Sequence, residues 1–100
     1  MGKLNALLSR ADEDPAVRVV VLRGAGENFS SGGDLSQGPA AVPGPEGARL
    51  TLRRYLDVVR TVRSMAKPVI AMVDGYAVGG AFALALESDL VCASDRALFV

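Results

Sequence analysis

The chain has 100 residues, half of them hydrophobic, and its eleven basic and eleven acidic side chains cancel. That length holds one domain at most, with enough apolar content for a core, and the scattered Lys and Arg side chains give no footprint for nucleic acid. Histidine is absent, which removes Ser-His-Asp and Cys-His catalysis and most zinc sites; no metal is expected, and chemistry falls to carboxylates, backbone amides, hydroxyls or Lys.

The N-terminal residues lack the apolar core of a signal peptide, and Ala6 stands where a myristoylation motif requires Ser or Thr. Leu4, Leu7, Leu8 and Ala11 recur at helical spacing, so a helix is expected over residues 4–11, ended by Asp12, Glu13, Asp14 and Pro15. Residues 17–22 form a nearly continuous apolar run broken by Arg18, as in a parallel strand covered on both faces. Gly24 to Asn28 is turn material. Residues 36–47, rich in Pro and Gly, propagate neither helix nor ladder and are expected to form a mobile surface loop.

Residues 49–66 read as an amphipathic helix, with Leu52, Tyr55, Leu56, Val59, Val62, Met65 and Ala66 on its apolar face and Arg53, Asp57, Arg60 and Arg63 opposite. Lys67-Pro68 breaks it, and a strand follows over 69–73. Residues 81–87 are apolar on every side, which predicts a buried helix. A third strand is expected over 90–93 and the start of a fourth over 98–100. Residues 68–86 are long enough to cross a bilayer, but Asp74 and the glycines at their centre favour strand, turn and helix, and no membrane partner is expected. Cys92 excludes an internal disulfide and fits a reducing, cytoplasmic setting. Alternating strands and helices make this an α/β chain with a mainly parallel sheet. Ending on Phe99-Val100 inside an apolar element, residues 1–100 read as an incomplete domain cut from a larger one.

Two junctions carry the chemistry. In one, Val19-Val20-Val21-Leu22 runs through Gly24 into Phe29-Ser30-Ser31-Gly32-Gly33-Asp34-Leu35. In the other, Val69-Ile70-Ala71-Met72-Val73 runs through Asp74-Gly75 into Gly79-Gly80-Ala81. A strand meeting glycines at a helix start leaves backbone N–H groups free to hold negative charge. Two such junctions suggest two donors converging on one oxygen, an oxyanion hole. Competing readings are weaker. Gly24-Ala25-Gly26 lacks the third glycine of a dinucleotide fingerprint, since Phe29 stands there. Ser31 has no histidine to activate it as a nucleophile, and a capping or backbone role suits it better. Asp34 could act as a base, although local turn or cap bonding is the better use of its oxygens. Gly79-Gly80 taken alone could serve only close packing.

Phe29-Ser30-Ser31-Gly32-Gly33-Asp34-Leu35 and the stretch from Lys67-Pro68 to Gly79-Gly80 resemble the two signature segments of the crotonase (enoyl-CoA hydratase/isomerase) superfamily. Ser88-Asp89-Leu90 is similar to the step that follows the second signature. The resemblance implies part of that family's ββα spiral core, lacking its opening strands and C-terminal half. It implies fatty-acid-type chemistry on an acyl-CoA thioester, with acyl-CoA as substrate and no separate cofactor, in a parent that assembles as a homotrimer or hexamer.

Carried over residue by residue, the resemblance places the thioester oxygen on the backbone N–H groups of Ser31 and Gly80. Gly32, Gly33 and Asp34 then lie along the CoA moiety, and residues 36–47 over the acyl pocket. One departure matters. The hydratase glutamate falls at Ala83, which transfers no proton, and Glu87 lies about 6 Å further along the helix. An isomerase-like reaction, with its acid/base supplied from outside residues 1–100, therefore fits better than two-glutamate hydration (lyase chemistry). The alternative is a truncated, catalytically incompetent chain that retains weak acyl-CoA binding or self-associates.

Overall fold

The computed structural model describes residues 2–30 and 44–100. The first helix, α1 (Gly2–Glu13), follows the expected leucine spacing: Leu8 is buried and Leu4 half-buried, while Leu7 is exposed. Its end is tied down by residues far along the chain. The Lys67 ammonium donates to the Ala11 carbonyl (2.7 Å) and to that of Asp14, while the Asp12 carboxylate accepts from the N–H groups of Ala66 and Lys67. The last carbonyls of a helix have no intrahelical donor, so a cation there satisfies them and opposes the negative end of the dipole.

The first strand, β1 (Val20–Leu22), is shorter than the apolar run that predicts it. Pairing begins where its neighbour allows it, with the Val20 N–H donating to the Pro68 carbonyl at 3.0 Å. Val21 is 51% exposed, so the described residues cover only one face of this strand, not both. The long helix α2 (Gly44–Ser64) begins earlier than expected, and residues 44–47 are its first turn rather than loop. Pro45 is compatible with that position because the N–H it lacks would have no intrahelical partner, and Glu46 complements the dipole. Val58 and Val62 form the buried stripe of α2; Tyr55, Val59 and Met65 are half-buried, and Leu52 and Leu56 are exposed.

Strand β2 (Val69–Val73) lies centrally, parallel to β1 on one side and to β4 (Leu90–Ala93) on the other. Val69, Ala71 and Val73 alternate onto the buried face and Met72 points away, exposed. A corner at Gly75 (φ 70°) then feeds β3 (Tyr76–Ala77), which pairs in parallel with β5 (Leu98–Phe99) in a second sheet. The residues expected to open a fourth strand of the first sheet belong instead to this second one. Ser30 joins it through a parallel bridge to Ala77. The helix α3 (Gly80–Glu87) links β3 to β4.

Three successive passes are therefore visible: β1 then Ser30, β2 then β3, β4 then β5. Each contributes first to one sheet and then to the other, which is the ββα spiral. Leu8, Val58, Val62, Val69 and Leu84 form one core cluster, between α1, α2, α3 and β2; Ala71, Val73, Ala77 and Ala85 form a second. Only one side of α3 is buried, through Ala81, Leu84 and Ala85, while Ala83 and Leu86 are exposed. Cys92 is exposed too, because every residue of β4 is.

Candidate oxyanion site at the start of the third helix

Helix α3 opens on Gly79 and Gly80, which need to be glycine for different reasons. Gly79 has φ 64° and ψ −123°, a conformation in which a side chain is strained, although nothing lies within 4 Å of where its Cβ would be. Gly80 has no such backbone demand. A Cβ there would fall 2.0 Å from Cε1 of Tyr55, whose ring sits directly on the glycine.

The hydrogen bonds of this turn single out one donor. The Gly79 N–H donates to the Val100 carbonyl (2.9 Å) and the Ala81 N–H to Val78, while Phe82 and Ala83 both donate to the Gly79 carbonyl at 3.0 and 3.3 Å. Among the described residues, no carbonyl accepts from Gly80. All peptide bonds described are trans, so N–H and C=O of one peptide point in opposite directions. The Gly79 carbonyl points into α3, and the Gly80 N–H therefore points out past the helix start, where the dipole is positive.

The first junction approaches the same turn. The Ser30 N–H donates to the Tyr76 carbonyl (2.8 Å), and the Val78 N–H donates to the Ser30 carbonyl (3.2 Å). Ser30 is thus locked two residues ahead of Gly80. Ser31, Gly32, Gly33 and Asp34 lie outside the described residues, as do residues 36–43 of the expected loop. An apolar cavity of about 160 Å³ is lined by Ser30 and Ala81 together with Leu22, Phe29 and Leu84, so sequence neighbours of both predicted donors border one space.

The two described carboxylates nearest this turn in sequence, Asp74 and Glu87, each have another partner. Asp74 is held by the Ser94 hydroxyl (2.7 Å) and the Arg96 guanidinium, which keep its carboxyl below the usual aspartate range. A turn aspartate is expected to spend its oxygens on the local backbone; those of Asp74 are taken chiefly by side chains twenty and twenty-two residues on. Glu87 pairs with Arg63 of α2 at 3.4 Å. No group of His, Cys, Asp and Glu among the described residues is placed to hold a metal, and no described helix is long and apolar enough to cross a membrane.

The enoyl-CoA hydratase/isomerase family model matches residues 1–100. The chain belongs to the enoyl-CoA hydratase/isomerase family. It is 45% identical over 98 residues to a probable enoyl-CoA hydratase of Mycobacterium tuberculosis, covering 98% of this chain and 38% of that protein. The fold superposes on the crystal structure of an enoyl-CoA hydratase from Bacillus anthracis with a TM-score of 0.87 at 32% identity, covering 98% of this chain and 38% of the other. An enoyl-CoA hydratase/isomerase from Xanthobacter autotrophicus Py2 gives 0.84 at 40% identity, covering 98% and 37%. The chain thus spans well under half the length of each.

In this enoyl-CoA hydratase/isomerase family member, Tyr55 is the residue near the site that the sequence pattern concealed. A tyrosine on the apolar face of an amphipathic helix reads as core, and nothing local marks it as the neighbour of a glycine 25 positions away.

Proposed function

We propose that this chain activates an acyl-CoA thioester by holding its carbonyl oxygen on the backbone N–H groups of Gly80 and Ser31, stabilising an enolate. The observation that carries this reading is the Gly80 N–H, the one donor in its turn without an acceptor among the described residues, aimed outward from a helix start. Ser31 is the next residue in sequence after Ser30, whose backbone is bonded to Tyr76 and Val78 just ahead of Gly80, and this supports its pairing with Gly80. An enolate oxygen bears more charge than the ground-state carbonyl, so each donor strengthens as reaction proceeds and contributes about 3 kcal/mol to the transition state. The mostly apolar cavity lined by Ser30 and Ala81, sequence neighbours of the two donors, offers an apolar wall to an acyl chain. Gly32, Gly33 and Asp34 complete the binding loop along the CoA moiety in this reading.

The reaction favoured is one in which the acid/base is supplied from outside residues 1–100. Ala83 has no proton to give, and the ion pair with Arg63 occupies Glu87. Double-bond shift in an enoyl-CoA fits this better than addition of water. The same observation favours a second reading, in which residues 1–100 by themselves bind acyl-CoA without turnover.

Acetoacetyl-CoA tests the oxyanion role, because its enolate absorbs in the near ultraviolet. Bound to the chain, it is expected to ionise at lower pH than in free solution. Binding without any change in ionisation would remove the oxyanion role. Incubation with crotonyl-CoA separates the two readings: loss of the enoyl-thioester absorbance would sink the one without turnover.

A further inference from the structure

The start of α3 contains a joint and a brace. The joint is Gly79: nothing lies within 4 Å of its Cβ position, and its φ of 64° is one that glycine alone adopts without strain. It is held by the hydrogen bonds that its N–H donates to Val100 and its carbonyl accepts from Phe82 and Ala83, and not by a packed side chain. The brace lies at the next residue. Tyr55 Cε1, Cδ1 and Cζ stand 2.0–2.4 Å from the position of an ideal Gly80 Cβ, so the ring occupies the volume a side chain would take. Tyr55 is half-buried, and it lies one helical turn before Val58, which is fully buried in the core cluster that also holds Leu84 of α3. The ring is therefore carried by the best-packed part of α2 and rests on the residue whose N–H has no acceptor among those described. Burial raises the phenol's pKa, so the ring presents a neutral surface there at ordinary pH.

We infer that Tyr55 is a positioning residue: its ring, seated on the Gly80 backbone, fixes the direction in which the Gly80 N–H is presented. The inference rests on the proposed oxyanion role of that N–H. Hydrogen bonds to the Gly79 carbonyl orient the 79–80 peptide within the helix, but they come from one side only. Tyr55 blocks the rocking that the Gly79 joint would otherwise permit. The effect needs the ring and not the hydroxyl, so Phe should replace Tyr, whereas a small residue should not.

The test uses the full chain with acetoacetyl-CoA, reading the ratio of bound enolate to bound keto form at fixed pH. Tyr55→Phe is expected to leave that ratio within twofold of the unmodified chain, and Tyr55→Ala to lower it at least tenfold while the ligand still binds. A mere loss of stability would not move a ratio measured within the bound ligand. Gly80→Ala, whose methyl meets the ring, should lower the ratio as well, and Tyr55→Ala combined with Gly80→Ala should recover part of it. An unchanged ratio in Tyr55→Ala overturns the inference. Should Tyr55→Ala not fold, Tyr55→Leu carries the same expectation and the same refutation. If the unmodified chain binds the ligand without forming enolate, or does not bind it, the oxyanion reading fails and the NMR order parameter of the Gly80 N–H decides the positioning role. It should then fall in Tyr55→Ala while that of Ala85 holds, and an unchanged value at Gly80, or an equal fall at both, overturns the inference.

Discussion

Two neighbouring glycines at the start of α3 carry different burdens, and substitution should separate them. At Gly79 the demand is conformational, with φ 64° and open space around the missing side chain. Gly79→Ala is therefore expected to destabilise the chain by on the order of 1–3 kcal/mol through backbone strain alone, read as a lower urea midpoint with an unchanged denaturant slope. Asp74 sets a pH dependence. The Ser94 hydroxyl, then the Arg96 guanidinium, hold its folded pKa below that of the unfolded chain. The unfolded state takes up the proton first as pH falls, so the contribution is complete above about pH 4 and is lost as pH drops through the folded value. The melting temperature of Asp74→Asn should accordingly fall less than that of the unmodified chain between pH 5 and pH 3.

At the scale of elements, Asp89 explains how β2 and β4 are brought into register. Its carboxylate accepts the Val69 N–H at 2.7 Å, while its own N–H donates to the Val69 carbonyl at 2.9 Å. The first N–H of a buried central strand is thereby satisfied by a side chain from the turn that opens the next strand. Asp89→Ala leaves that N–H without a partner and should cost about 1–3 kcal/mol in chemical denaturation. Asp89→Asn, which keeps an acceptor oxygen, should cost less. Lys67, two residues before the same end of β2, does comparable work: its ammonium closes the last turn of α1. The Lys67-Pro68 step thus has a structural meaning besides stopping a helix.

For the whole molecule, the consequence lies in what faces outward. Ala83 is exposed among the described residues, as are Leu86, Leu90, Leu98 and Val100. A carboxylate at position 83 meets no dry pocket here, so Ala83→Glu should change stability by no more than about 0.5 kcal/mol, measured by thermal unfolding. On the proposed oxyanion reading, the same substitution should raise hydration of crotonyl-CoA above that of the unmodified chain, because it sets a proton-transfer group one turn from the Gly80 N–H. An Ala83→Glu chain that hydrates no faster would count against Ala83 as the departure that disfavours addition of water.

Much of this arrangement is legible in the sequence because it depends on local physics. Helical spacing from Leu4 to Ala11, the uninterrupted run from Val69 to Val73, and glycines at 75, 79 and 80 each mark an element or a turn whose cause lies within a few residues. The α/β class and the strand-glycine-helix junction at Gly80 follow from them. Tertiary structure decided the rest. Residues 98–99 are as apolar as any strand, yet which sheet they join depends on the corner at Gly75 and on β3, too short for a pattern of its own. The buried stripe of α2 runs through Val58 and Val62, leaving Leu52 and Leu56 exposed, because burial is set by where α1 and α3 lie and not by hydrophobicity alone. Tyr55 reaches Gly80 only because α2 and α3, separated in sequence by β2 and β3, pack together at that point. Periodicity specifies which face of an element is apolar; which partner covers it, and which backbone donor is left without an acceptor, are properties of the assembled spiral.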